Sequence, residues 1–161
     1  MKTMDEQGRR LCRFQGKVFV LSAHRFNCSS PIFIRRFMFS QTAARIDQYQ
    51  EFPEMSEETV LDRIEEEFGH TDYGQIVYSE EVLYWIGYMY RYWSYTKEIS
   101  SKKVYRIIKP EEWKNLYYVY HTMDPDAAIA RIMEAKNISE EEDYTTLGVQ
   151  ILRSLLAAES K

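Results

Sequence analysis

The sequence predicts an all-α protein, a compact multi-helix bundle around a central aromatic helix at about residues 80–97. Two observations predict this class. Residues 79–95 place their apolar side chains at helical spacing, and helix-start signals recur along the chain, as at Ser30–Pro31 and Asp124–Pro125. The β-branched run 17–22 has no neighbouring run to pair with, and an isolated strand leaves its backbone hydrogen bonds unmade. We therefore expect a helix there, or at most a short extended segment.

The central helix carries two stripes of different character. Ser79 is a suitable N-cap, and Glu80 and Glu81 suit the positive end of the helix dipole. At about 100° per residue, one face collects the buried-type residues, which are Val82, Trp85, Ile86, Met89, Tyr92 and Trp93. A second stripe collects Tyr84, Tyr88, Arg91 and Tyr95.

The other elements follow in chain order. Residues 1–16 are expected to form a flexible N-terminal segment, 17–137 a single helical domain and 138–161 a C-terminal helix or tail. Ser30 and Pro31 open a helix over 31–40, with Arg35 and Arg36 facing outward. The remaining predicted helices cover 41–48, 57–68 after Ser56 and before Gly69, 101–108 after Ser100 or Ser101, 111–120 after Pro110, and 125–137.

Composition and charge bound the class of protein. Hydrophobic residues make up 45% and charged residues 29%, as in folded soluble proteins, and no apolar run is long enough to span a bilayer. Cys12 and Cys28 show no framework spacing, and the charged N-terminus does not resemble a signal peptide, so a cytoplasmic location with free thiols is expected. Charge is segmented, because residues 1–50 hold nine Lys and Arg against three Asp and Glu, whereas 51–81 hold one against eleven.

Tyr is the most abundant aromatic residue, with 13 copies, and Tyr gives large contact area with a polar tip. The second stripe and the acidic block therefore predict a protein-binding surface. Its candidate residues are Tyr84, Tyr88, Arg91, Tyr95, Glu65 and Glu66. For Arg91 the alternatives are a salt bridge with an acidic neighbour or an anchor for a partner in a Tyr-lined groove.

Basic residues also alternate with aromatic ones in two segments, 33–37 and 102–109. Cations on phosphates and rings on bases are the chemistry of nucleic-acid binding. The candidates for this alternative are Arg35, Arg36, Lys102, Lys103 and Arg106. Helices with outward basic residues produce the same pattern, so both interpretations stay open.

No catalytic, cofactor or metal site is predicted. The chain has no glycine-rich phosphate loop, nucleophile elbow or zinc-ligand spacing. Arg63 and His70 fit the loose spacing of helical HEPN-type ribonucleases, but the glutamates between them would repel an RNA backbone. His121 and Asp124 are expected to serve helix ends.

Three segments, YSEEVLYWIGYMYRYW from Tyr78, SSKKVYRIIKP from Ser100 and YHTMDPDAAIARIMEAK from Tyr120, carry a resemblance. Over about residues 78–136 the chain resembles a family of small helical proteins of anaerobic Gram-positive bacteria. Genes of that family lie beside toxin-like genes, including ADP-ribosyltransferase-like ones, in mobile or defence-type neighbourhoods. The resemblance implies a regulatory or antitoxin-like role and carries no catalytic residue.

The leading hypothesis is a non-enzymatic regulator that binds another protein, such as a toxin or nuclease, as an antitoxin or inhibitor, including in phage defence. A nucleic-acid-binding regulator is the alternative, and a HEPN-type ribonuclease comes third. The oligomeric state is left open.

Overall fold

The computed structural model describes residues 2–49, 55–70, 72–139 and 155–156. Within these residues the regular secondary structure consists of eight α-helices without a β-strand, which confirms the predicted all-α class. In chain order the helices are α1 (Glu6–Arg25), α2 (Ser30–Met38), α3 (Gln41–Tyr49), α4 (Glu57–Phe68), α5 (Glu80–Lys97), α6 (Ser101–Ile107), α7 (Pro110–Tyr120) and α8 (Pro125–Ala135).

The chain divides into two compact units, residues 1–121 and 122–161. The first unit holds α1–α7 and the second holds α8. The division falls after His121, the C-cap of α7, and before the turn that precedes Pro125. The predicted C-terminal helix over 138–161 lies outside the described residues, apart from 138–139 and the helical pair 155–156.

Helix α5 is the central element of the first unit, and its predicted bounds are confirmed. Ser79 accepts a hydrogen bond from the backbone N–H of Val82 at 3.4 Å, which caps the start of the helix. At the other end Glu98 adopts the left-handed conformation, with φ of 55°, and its N–H bonds the carbonyl of Ser94. Most of the helix is buried, because α5 contacts α1 most extensively and also packs on α6 and α7.

Helix α1 covers residues for which the sequence predicted something else. A flexible segment was expected over 1–16 and at most a short extended segment near 17–22, but Glu6–Arg25 is one continuous helix. Its N-cap is Asp5, whose carboxylate accepts the backbone N–H of Gly8 at 2.8 Å. The residues that made 17–22 look like a strand are helical because Val18 and Phe19 are buried on the same face as Leu11, about two helical turns earlier. Tertiary burial along one face therefore outweighs the β propensity of the run.

Helices α1 and α5 approach each other closely at two glycines. A Cβ placed on Gly87 would lie 2.7 Å from the carbonyl oxygen of Gln15 and 3.0 Å from the Cα of Gly16. A Cβ on Gly16 would lie 2.8 Å from the ring of Tyr84. Gly16 and Gly87 thus set the distance between the two helices, which in turn sets the position of the Tyr84 ring.

The start of α2 is held by the segment 72–79, which precedes α5 and has no regular secondary structure. Ser29, one residue before the predicted cap Ser30, is the N-cap of α2. The N–H of Ser29 bonds the carbonyl of Tyr73 at 3.2 Å, and that of Ser30 bonds Ile76 at 2.9 Å. These donors have no partner inside the helix, so the segment 72–79 satisfies them.

The second unit is described by α8 and the turn that follows. One face of α8 is buried, at Ala128, Ile129, Ile132 and Met133. The helix ends where Asn137 adopts a φ of 58° and the N–H of Ile138 bonds the carbonyl of Met133 at 2.8 Å. Across all described residues, no helix is both long and apolar enough to serve as a membrane span.

Candidate functional site

Arg91 does not line a surface groove; it lies in the interior of the first unit with only 2% of its surface exposed. Its guanidinium donates to Asp47 Oδ1 at 2.6 Å, to Gln15 Oε1 at 2.8 Å and to Ser101 Oγ at 3.2 Å. The salt bridge considered for Arg91 therefore exists, but its partner is on α3 rather than in the acidic block 51–81. This corrects the prediction of Arg91 as a partner-binding residue.

The Asp47 carboxylate connects three helices, α3, α5 and α6. Asp47 accepts the backbone N–H of Ser101 at 2.8 Å and its hydroxyl at 2.7 Å. The hydroxyl of Ser94, which donates to the carbonyl of Ile99, lies 3.3 Å from the same carboxylate. Gln15 completes the set by donating to the carbonyl of Gly87 at 3.1 Å. Because all three guanidinium nitrogens of Arg91 have a hydrogen-bond partner, the network ties α1, α3 and α6 to α5.

Tyr95 is also sealed inside and cannot contact a partner in this fold. Its ring packs with Leu11 and Ile46, and its hydroxyl donates to Asp5 at 2.8 Å. Lys2 covers the Tyr95 ring, because its ammonium lies 4.1 Å from the ring centre and its backbone N–H donates to the carbonyl of Thr96. The N-terminal residues expected to be flexible thus cover the end of the second stripe.

Tyr84 and Tyr88 remain half-buried at the surface, and α1 brings basic side chains beside them. The two rings are neighbours, with centroids 6.2 Å apart, and Tyr84 lies over Gly16. Burial raises the pKa of both phenols, and the positive charge of Arg13 opposes that rise in pKa. Arg9 acts on the pKa of Tyr88 in the same direction. An aromatic pair with adjacent guanidinium groups results.

The basic side chains continue along α1 into an open cavity of about 180 Å³. Its lining residues are Arg10, Arg13, Phe14, Lys17 and Glu57. Glu6, in the first turn of α1, accepts a hydrogen bond from the guanidinium of Arg13, with Nη2 and Oε1 2.9 Å apart. We call the surface formed by Arg9, Arg13, Lys17, Tyr84 and Tyr88 the α1–α5 face.

The basic part of the α1–α5 face escaped the sequence interpretation because residues 1–16 were expected to be flexible. The signal was present, since Arg9, Arg13 and Lys17 recur every four residues and so share one side of a helix. It becomes informative only when α1 is known to be a helix.

The acidic candidates differ in their availability. Glu65 accepts from Arg25 at 3.1 Å and lies 3.6 Å from the imidazole of His70. Glu66 is exposed. Next to it, Glu67 accepts the backbone N–H of Gln41 at the start of α3. Part of the acidic block therefore stabilises neighbouring helices of the same chain.

The basic candidates of the nucleic-acid alternative fall into separate places. Arg36 turns toward Tyr73, whose hydroxyl accepts its N–H at 3.3 Å. Arg106 lies 5.6 Å from the ring centre of Phe39. Burial raises the pKa of Tyr105 on the same helix as Arg106, and the positive charge of Arg35 opposes that rise. Lys102 is exposed one helical turn before Arg106, and Lys103 is half-buried. The fold thus brings Arg35 and Arg106 together and leaves Arg36 apart.

The residues considered for catalysis or metal binding lie at helix ends or on the surface. His121 stacks on Tyr117 and its Nδ1 lies 2.7 Å from the Tyr117 carbonyl oxygen, as expected for a helix end. Asp124 precedes α8 but its side chain makes no capping bond. Arg63 is exposed, and His70 faces Glu65. In the part of the chain that the structure describes, no cluster of His, Cys, Asp and Glu has the arrangement of a metal site.

No protein-family model, curated protein or solved structure matches this chain. The residues of the α1–α5 face and their surroundings are therefore the basis for assigning a function.

Proposed function

We propose that the protein is a non-enzymatic regulator that binds another protein through the α1–α5 face, in the manner of an antitoxin or inhibitor of a toxin or nuclease. The observation that carries this proposal is the half-buried pair Tyr84–Tyr88 beside Arg13. Tyr and Arg are the residue types that contribute most binding energy at protein interfaces.

The charge of the α1–α5 face favours an acidic partner. Arg9, Arg13 and Lys17 lie on the same side of α1, and Glu6 and Glu57 are the carboxylates near them. A partner that offers carboxylates around an apolar centre would pair with the cations and cover the tyrosine rings. The acidic α4 supports this proposal less, because Glu65 and Glu67 already serve the fold.

The resemblance to small proteins encoded beside toxin-like genes favours a toxin as that partner. The test is co-expression of the full chain with the toxin-like product of the adjacent gene in the native host, with co-purification and rescue of growth as readouts. We expect the wild-type chain to do both. We expect Tyr84→Ala/Tyr88→Ala to weaken binding by about 10-fold or more, since truncation of an interface Tyr commonly costs about 1–2 kcal/mol.

Two further variants make the result specific. Arg13→Glu reverses a charge on the same face without removing a packed ring, so it should weaken binding while the melting temperature is retained. Tyr118→Ala removes a tyrosine that is 83% exposed on α7, a helix that contributes no residue to this face, and should leave binding unchanged. The proposal fails if the wild-type chain neither binds nor neutralises the toxin, or if Tyr118→Ala is as harmful as the double variant.

A further inference from the structure

A second charged surface lies where α2, α6 and the start of α7 meet. Phe39 and Tyr105 contact edge to face, with ring centroids 5.4 Å apart. Arg106 lies 5.6 Å from the centre of the Phe39 ring, and Lys109 lies 4.6 Å from the centre of the Tyr105 ring. Arg35 is exposed on α2, which packs against α6. Burial raises the pKa of Tyr105 and lowers that of Lys109, and the positive charge of Arg35 lowers both. We call these five residues the Tyr105 cluster.

The side-chain charges of the three cations in the Tyr105 cluster form no ion pair with a described carboxylate. Within the described residues, no carboxylate lies at ion-pair distance from Arg35, Arg106 or Lys109. Elsewhere on the surface the arginines Arg9, Arg13 and Arg25 are each paired with Asp or Glu. Three like charges held together without a counterion are unfavourable alone and become favourable when an anion binds.

The side chains are also held in place. Lys109 donates from Nζ to the carbonyl of Tyr105 at 3.2 Å, and its backbone N–H bonds Glu112 in the capping box of α7. Burial lowers the pKa of Lys109, Glu112 and Glu111 oppose that effect, and Arg106 and Arg35 add to it. Because the carboxylate of Glu112 faces the start of α7, it reduces the positive charge of the cluster only in part.

We propose that Arg35, Arg106 and Lys109 bind the phosphate groups of a nucleotide or of single-stranded nucleic acid, with Tyr105 at the centre of the site. Guanidinium groups match the oxygens of phosphate in geometry as well as charge, and a lysine adds a point charge. The rings of Phe39 and Tyr105 hold two of these cations in position, since Arg106 lies over the first ring and Lys109 over the second. This set retains Arg35 and Arg106 of the sequence-based candidates. It has Tyr105, Phe39 and Lys109 in place of Arg36, Lys102 and Lys103.

The test measures binding of the full chain to inorganic phosphate, ATP and a fluorescent oligothymidylate by calorimetry or anisotropy. If the oligonucleotide binds through three cations, the slope of log affinity against log salt should be about −2, since each contact to a single strand contributes about −0.7. Arg35→Glu and Arg106→Glu should each lower the affinity by at least about 10-fold and reduce the slope. Saturation by ATP with little gain for the oligonucleotide would instead assign the site to a free nucleotide.

Arg63→Glu is the matched control, because Arg63 is exposed on α4 and the variant has the same net charge. It should bind as the wild-type chain does. The proposal is overturned if none of the three probes binds at about 50 mM salt, where phosphate contacts are strong. It is also overturned if Arg63→Glu lowers the affinity as much as Arg106→Glu, because net charge alone would then explain binding. Both arginines of the site are exposed, and a thermal melt establishes that each variant is folded.

Discussion

At the scale of the residue, Arg91 has the largest consequence for this fold. A buried guanidinium is costly unless its donors are matched, and here Asp47, Gln15 and Ser101 match them. Asp47 is itself nearly buried, with 14% of its side chain exposed. Each charge is therefore tolerated in the interior only with the other, and either one alone would destabilise the fold.

Removal of one member of this pair should be strongly destabilising. We expect Asp47→Ala to lower the free energy of unfolding by about 3–5 kcal/mol, because it leaves Arg91 charged and buried. The double variant Asp47→Ala/Arg91→Met should lose less than the sum of the single variants. Urea denaturation of the wild-type chain, Asp47→Ala, Arg91→Met and the double variant measures both effects. As a control, Asp62→Ala removes an exposed partner of Arg25 and should cost about 0–1 kcal/mol. Equal losses for Asp47→Ala and Asp62→Ala would contradict the role given to the pair.

At the scale of the element, the closest helix pair is α1 with α5. Its geometry depends on Gly16 and Gly87, where the backbones come closer than any side chain allows. Gly is the least favourable ordinary residue in a helix interior after Pro, so its presence in both helices has a packing cause. That packing positions Tyr84 beside the cations of α1 and so builds the candidate surface.

Gly87→Ala separates helix propensity from packing, because the two effects have opposite signs. Propensity alone would stabilise the helix by about 1 kcal/mol. The added Cβ would meet backbone atoms of Gln15 and Gly16, which cannot move unless α1 moves. We expect the packing loss to prevail, with a net destabilisation of about 1–2 kcal/mol. Thermal unfolding measures it, and Glu66→Ala on the exposed side of α4 is the control that should change little. A higher melting temperature for Gly87→Ala would contradict the close approach.

At the scale of the whole molecule, many ionisable groups are buried in their neutral form. Burial raises the pKa of Cys12 from 9.0 to about 12 and that of Tyr78 from 10.0 to about 12. Burial also raises the pKa of Tyr90 well above 10.0. In the unfolded chain these groups lose their protons at the lower values, so the folded state binds more protons in alkaline solution.

The sign of the pH dependence follows from these raised values. Stability from the three groups is fully present below pH 9.0, the unfolded pKa of the thiol, and is lost as the pH rises toward about 12. Each such group should lower the free energy of unfolding by about 1.4 kcal/mol per pH unit in this window. Urea midpoints between pH 7 and 11 test this expectation. Cys12→Ala should show a shallower decline between pH 9.0 and 10.0, where the buried thiols of Cys12 and Cys28 contribute more than the phenols do. A midpoint that is constant over the range would contradict the neutral burial of these groups.

Much of the helical framework could be predicted from the sequence because it depends on local chemistry. The bounds of α5 follow from the Ser79 cap and from the apolar spacing that starts at Val82. The end of α4 at Gly69, which has a φ of 82°, follows from the conformational freedom of glycine. The start of α1 was missed because the Asp5 cap stands in a polar stretch whose apolar face is recognisable only once α5 covers it.

The sequence by itself determined that the chain is helical, where most helices begin and end, and which face of α5 is apolar. Only the tertiary structure decided which residues of the second stripe remain accessible. Asp47 lies 44 residues from Arg91 along the chain, and Asp5 lies 90 residues from Tyr95. Helical spacing shows which side chains share a face, but a buried charge or hydroxyl becomes stable only where a distant partner meets it. For that reason Arg91 and Tyr95 are interior residues, while Tyr84 and Tyr88 remain at the surface.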